Sequence, residues 1–154
     1  MVAAKAGVAA PRRVVQMAAG AAGPLAAVLG RHTGTPQRCW FAVWDGSGGL
    51  PERVRRAPGF TVPERRYHLL AGALSAADTS VLDAPCWQTA NLWWPDDRAW
   101  CVASEIDLNS TYLGVTEACA AELLAEPDLE AVRVSPEAGI AFDSDPDNPP
   151  PPHG

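Results

Sequence analysis

The side chains best able to do chemistry are gathered in residues 90–114, the run ANLWWPDDRAWCVASEIDLNSTYLG. Asp96 and Asp97 sit in a Pro-Asp-Asp-Arg segment, and Glu105 and Asp107 follow two residues apart. On an extended strand that spacing puts Glu105 and Asp107 on one face. Carboxylates grouped in this way can hold Mg²⁺ or Ca²⁺ through oxygen, or divide the work of a general acid and a general base. Asp97, Glu105 and Asp107 are therefore the ligand set of one reading, a metal-assisted hydrolase. The regular ligand spacing and bend glycine of a calcium loop are absent. The simpler expectation is a solvated acidic rim with Arg98 paired to a carboxylate across a hairpin.

Ser110, Thr111 and Tyr112 lead to Gly114 and a helix start. Backbone N–H groups at such a start can bind an anion. Neither a phosphate-loop nor a dinucleotide glycine pattern is present, so the hydroxyls are expected to bond the backbone of their own loop. Cys39 or Cys101 with His32 or His68 would supply a thiol and a base. No serine lies in a G-x-S-x-G elbow, and His32 and His68 lack a third ligand at metal spacing. No catalytic residue and no cofactor is assigned on these grounds.

A non-catalytic reading fits the same stretch better. Trp93, Trp94 and Trp100 are half of the chain's six tryptophans. Adjacent Trp93 and Trp94 must point to opposite faces of a strand, so one enters the core and the other stays outside, placed to stack on Arg98. The candidate binding face is Trp93, Trp94, Asp97, Arg98, Glu105, Asp107, Ser110, Thr111 and Tyr112. The expected partner is a protein, with the arginines at 53, 55, 56, 65 and 66 as a second contact.

The elements that must position these groups read as follows. Pro and Asp at 95–98 predict a hairpin between strands at 92–94 and 99–106. In its second strand Trp100, Val102, Ser104, Ile106 and Leu108 point to the core. Cys101, Ala103, Glu105 and Asp107 point to a second, partly open face. Aromatic and β-branched density predicts further strands at 39–44 and 67–71, with an edge strand at 129–134. Short helices are expected at 24–30, from Ser75 to about Leu82 with Ser75 and Asp78 as a capping pair, and after an N-cap at Thr116 until Pro127. Residues 45–49 and 51–66 read as loops, and 83–91 as irregular. The fold class is α+β: an antiparallel sheet of about four strands with two or three short helices on one face. Residues 23–140 form the single domain. Residues 1–22 read as a disordered leader and 141–154 as a disordered acidic, proline-rich tail.

Composition narrows the function classes. A chain of 154 residues with 47% hydrophobic content suits one domain. Residues 1–66 carry ten basic and three acidic side chains, a net of +7, and residues 67–154 carry two and fifteen, a net of −13. Two halves of opposite sign are expected to fold together and neutralise each other. A pI near 4.9 argues against nucleic acid as partner. The uncharged stretch from Val14 is rich in Ala and Gly and broken by Pro24, too weak to span a membrane. Cys39, Cys86, Cys101 and Cys119 form no C-x-x-C pair, and reduced thiols in a cytoplasmic protein are expected.

Three segments carry a resemblance: HTGTP at 32–36, CWFAVWDG at 39–46 and NLWWPDDRAW at 91–100. With EID at 105–107 and STYLG at 110–114, they are similar to a group of uncharacterised actinobacterial proteins over roughly residues 24–135. The resemblance implies a single α+β domain and brings no catalytic residue or cofactor. The layout of a short helix followed by an antiparallel sheet is also similar to that of bacterial immunity proteins, an analogy of architecture alone.

Overall fold

The computed structural model describes residues 13–18, 22–104 and 110–137. Its strands are β1 (Arg13–Ala18), β2 (Cys39–Trp44), β3 (Gly59–Val62) and β4 (Arg65–Gly72), then β5 (Leu92–Pro95), β6 (Cys101–Ser104), β7 (Ser110–Val115) and β8 (Ala131–Val134). They form one sheet in the order β3-β4-β2-β5-β6-β7-β1-β8, every neighbouring pair antiparallel. The helices are α1 (Ala22–Gly30), α2 (Glu52–Arg55) and α3 (Glu117–Ala125), with a 3-10 turn at Leu74–Asp78. The α+β class and the antiparallel sheet are as expected. The strand count is corrected from about four to eight among the described residues.

Four local expectations change with it. Arg13–Ala18, inside the stretch read as a leader, is a strand paired to both β7 and β8. Residues 51–66, read as one loop, hold α2 and β3. The stretch from Ser75 is a 3-10 turn whose N-cap is Ala73, with no side-chain cap. Ser110, Thr111 and Tyr112 open β7 instead of forming a loop. The acidic tail expected at 141–154 lies outside the described residues.

Other signals behave as their chemistry dictates. Thr116 caps α3, accepting from the N–H of Cys119 at 3.3 Å. The hairpin at 95–98 joins β5 to β6, with Leu92 opposite Ala103 and Trp93 opposite Val102. Arg98, in its turn, has a φ of 56°. Gly49 has a φ of 75°, which its missing Cβ tolerates.

Strand alternation sorts the apolar residues onto two faces. On one, Phe41, Val43, Trp93, Val102, Leu113 and Val115 pack against Leu25, Val28 and Leu29 of α1 and Cys119, Ala120 and Leu123 of α3. The other face carries a second cluster of Ala42, Tyr67 and Leu92, with Trp44, Phe60, Val62, Leu69, Trp94 and Ala103 packed on it. Every member of that cluster belongs to a strand.

Charge is arranged as the uneven sequence implies. Arg31–Glu122, Arg38–Asp96 and Arg53–Asp83 each tie the basic first part of the chain to the acidic second. These pairs are exposed and contribute little each, so they orient the halves more than they stabilise them.

Candidate binding face

Register fixes which aromatic groups share the face opposite the helices. Trp40 of β2 lies opposite Trp94 of β5, and Ala42 opposite Leu92. Trp44 lies opposite Tyr67 of β4, and Tyr67 opposite Phe60 of β3. Ala103 of β6 lies opposite Tyr112 of β7. Trp40, Trp44, Phe60, Trp94 and Tyr112 are each half-buried; Trp44, Phe60 and Trp94 pack on the buried Ala42, Tyr67 and Leu92, and register places Trp40 and Tyr112 on the same face.

The rings lie in fixed contacts. Phe60 stacks on Tyr67 with centroids 5.6 Å apart and meets the edge of Trp94 at 6.2 Å. The indole N–H of Trp40 donates to Asp96 Oδ1 at 3.1 Å, and Asp96 also accepts from Arg38 at 2.5 Å. Trp44 has Arg65 over its ring at 5.4 Å, a cation–π contact. Its backbone N–H donates to the side-chain carbonyl of buried Asn91 at 2.9 Å. Gly46 closes the other side of that indole, since a Cβ there would lie 2.2 Å from Trp44 Cζ2. Gly46→Ala is therefore expected to displace the Trp44 ring and to destabilise the fold by about 1 kcal/mol. A changed indole resonance for Trp44 in a ¹⁵N-labelled sample checks this.

The candidate residues separate cleanly. Trp94 and Tyr112 are on the face, and burial raises the Tyr112 hydroxyl above its ordinary pKa. Trp93 is in the helix-side core, 4% exposed and edge-on to Trp100 at 5.4 Å. Thr111 is buried on that same side, bonded to Ser104 at 2.9 Å. Phe60 meets the Trp94 ring edge-on at 6.2 Å. Glu105 and Asp107 lie outside the described residues, so the acidic part of the face and two of the three candidate metal ligands have no described position. Among the described residues no group of three His, Cys, Asp or Glu side chains is placed to hold a metal.

Asp97 has a different role. Its carboxylate accepts from Thr33 Oγ1 at 2.9 Å, from Gly34 N at 2.7 Å and from Ala99 N at 3.1 Å, while its own N–H donates to Thr35 Oγ1 at 3.1 Å. It latches the β5–β6 turn to the loop before β2. Partial burial raises its pKa, but the bonds from Gly34, Thr33, Ala99 and Thr35 outweigh that and leave it below the ordinary carboxylate range.

The groups weighed for nucleophilic chemistry are likewise engaged. His32 Nε2 pairs with Glu122 at 2.5 Å, joining α1 to α3. The bonds from His32 and Arg31 hold Glu122 below its usual pKa. His68, 2% exposed, gives Nε2 to Asp45 at 2.5 Å and leaves Nδ1 buried without a partner. Desolvation pushes the Cys39 thiol to about 11, and Cys101 and Cys119 to about 12. Such thiols stay protonated near neutral pH.

Sequence reasoning missed Trp40, Trp44, Phe60 and Tyr67 as parts of the face. A signal was present: Trp40 and Trp44 lie four residues apart in one strand, which fixes them on a common side. Comparison with protein-family models, curated proteins and solved structures gives no match.

Proposed function

We propose that this chain is a noncatalytic binding module whose aromatic sheet face receives a protein partner. The observation that carries the reading is the layer of Trp40, Trp44, Phe60, Trp94 and Tyr112 on the face turned away from the helices. Rigid aromatic rings and arginine are the groups that dominate protein interfaces, because they bury large area with few rotamers to freeze. The layer is braced from below by Tyr67 and at its edges by Asn91, Gly46 and Asp96, so little ordering remains for binding to oppose. Asp45, Asp96 and Asp97 already bond to protein donors. That arrangement favours recognition over general acid–base work.

The test is capture of a partner from cells that make this protein, followed by titration with Trp94→Ala and Trp40→Ala. Each variant is expected to weaken binding by about ten-fold or more, with the far-UV spectrum unchanged. A partner held equally by both variants would remove this face from the function. Added Mg²⁺, Mn²⁺ or Ca²⁺ is expected to leave the melting temperature where it is, and a rise would favour the hydrolase reading.

A further inference from the structure

The four strands that build most of the aromatic face differ in charge from the rest of the chain. β3, β4, β2 and β5 adjoin in the sheet and supply Phe60, Tyr67, Trp40, Trp44 and Trp94. They hold Arg65 and Arg66 but no Asp or Glu, in a chain of net charge −6. Alternation along β4 puts Arg65 on the aromatic side with Tyr67. Its guanidinium lies over the Trp44 ring at 5.4 Å.

Residues 143–152, DSDPDNPPPP, have the complementary character. Asp143, Asp145 and Asp147 bring negative charge with no Lys or Arg among them, and prolines fill 149–152. Proline has a fixed φ and no N–H, so a run of it favours polyproline II before any contact is made. Surfaces lined with aromatic rings recognise such runs, because little chain entropy remains to be lost. The reach is sufficient. Glu137 closes the described residues just after β8, and five strand spacings, about 24 Å, separate β8 from β2. At the polyproline II rise, the chain from Glu137 to Pro149 spans about 37 Å.

We propose that residues 143–152 dock on this chain's own aromatic face, the prolines against its rings and the aspartates drawn by its arginine. The inference rests on the reading of that face as the partner's site, and it makes the segment a competitor for the site. A single short segment makes a weak contact that opens readily, so the rings stay reachable by a stronger ligand. Its effect is to lower the partner's apparent affinity by the fraction of time it is docked.

A nitroxide on the full chain tests this, attached through Asn148→Cys with Cys86→Ser, since Cys39, Cys101 and Cys119 are buried. In ¹⁵N spectra the indole signals of Trp40, Trp44 and Trp94 are expected to broaden. Trp87, 68% exposed and outside both aromatic clusters, is expected to be spared. Pro149→Gly, Pro150→Gly, Pro151→Gly and Pro152→Gly together are expected to remove the broadening. The same variant is expected to bind the captured partner about two-fold more tightly. Equal broadening of Trp87 and the face indoles, or none of either, overturns the proposal. Broadening that survives the glycine variant overturns it, as does a partner held no more tightly by that variant. The sheet-face reading stands through all of these results. It fails only if Trp94→Ala and Trp40→Ala hold the partner as tightly as wild type does.

Discussion

Trp100→Ala is expected to destabilise the fold by about 4 kcal/mol, near the upper part of the range for deleting a fully buried large side chain. Trp100 is 1% exposed and precedes β6 directly. Its ring meets Trp93 edge-on at 5.4 Å, and Trp93 in turn stacks on Phe41 at 6.4 Å, so three aromatic groups from adjoining strands form one block. Its Nε1–H donates to Leu29 O at 3.0 Å, near the C-terminal end of α1, where helix carbonyls lack intrahelical donors. Truncation removes the block's outer member, leaves a cavity and takes from Leu29 O one of its two donors, the other being His32 N at 3.0 Å. Trp100→Phe keeps most of the ring contact and loses the hydrogen bond, so its cost falls to about 2 kcal/mol. Urea unfolding distinguishes these outcomes, with a lower midpoint and an unchanged slope for both variants.

Asp97→Ala is the second large effect, about 2 kcal/mol, because three donors from two loops converge on a single carboxylate. The figure is kept below the sum for charge-assisted bonds because Asp97 is exposed and water can replace part of what is lost. The pH dependence has a definite sign. The folded-state pKa lies below the ordinary carboxylate value. The contribution is therefore fully present above the unfolded value and is lost as pH falls through the lower folded value. The stability gap between wild type and Asp97→Ala is expected to be constant from neutral pH to about pH 5 and to close below about pH 4. A gap that persists undiminished at pH 2 would show that packing, and not the charged latch, is the source.

Much of this architecture could be read from residue order because period-two patterns survive in the folded chain. Trp93 and Trp94, adjacent in sequence, do part to opposite faces, and the Trp100–Val102 side does enter the core. Thr116 caps its helix because its hydroxyl meets an N–H with no other partner. The strands that were missed depend on partners distant in sequence. Arg13–Ala18 has a strand-forming centre but lies amid Ala and Gly, and its pairing needs β7, about one hundred residues away. Gly59–Val62 is short and follows Pro58, and among the described residues it pairs only with β4. Ser110–Val115 reads as polar at its start, yet Thr111 finds a hydroxyl partner in Ser104 across the ladder.

The site was less legible than the fold for a related reason. Clustering along the chain drew notice to residues 90–114, but a sheet assembles its surface across strands. Trp40, Trp44 and Phe60 reach the face from β2 and β3, beside Trp94 of β5. Asp97 looked reactive in sequence because a carboxylate in a turn is usually solvated. The Thr33-Gly34-Thr35 loop that occupies it lies sixty residues earlier.

Hydroxyl-radical footprinting of the protein, alone and with its captured partner, tests most directly whether the aromatic sheet face is the recognition surface. Trp40, Trp44 and Trp94 are expected to be oxidised in the free chain and protected in the complex, while Trp93 and Trp100 stay unmodified in both. Protection confined to other residues, or the three face tryptophans already as inert as Trp100 before any partner is added, would contradict it.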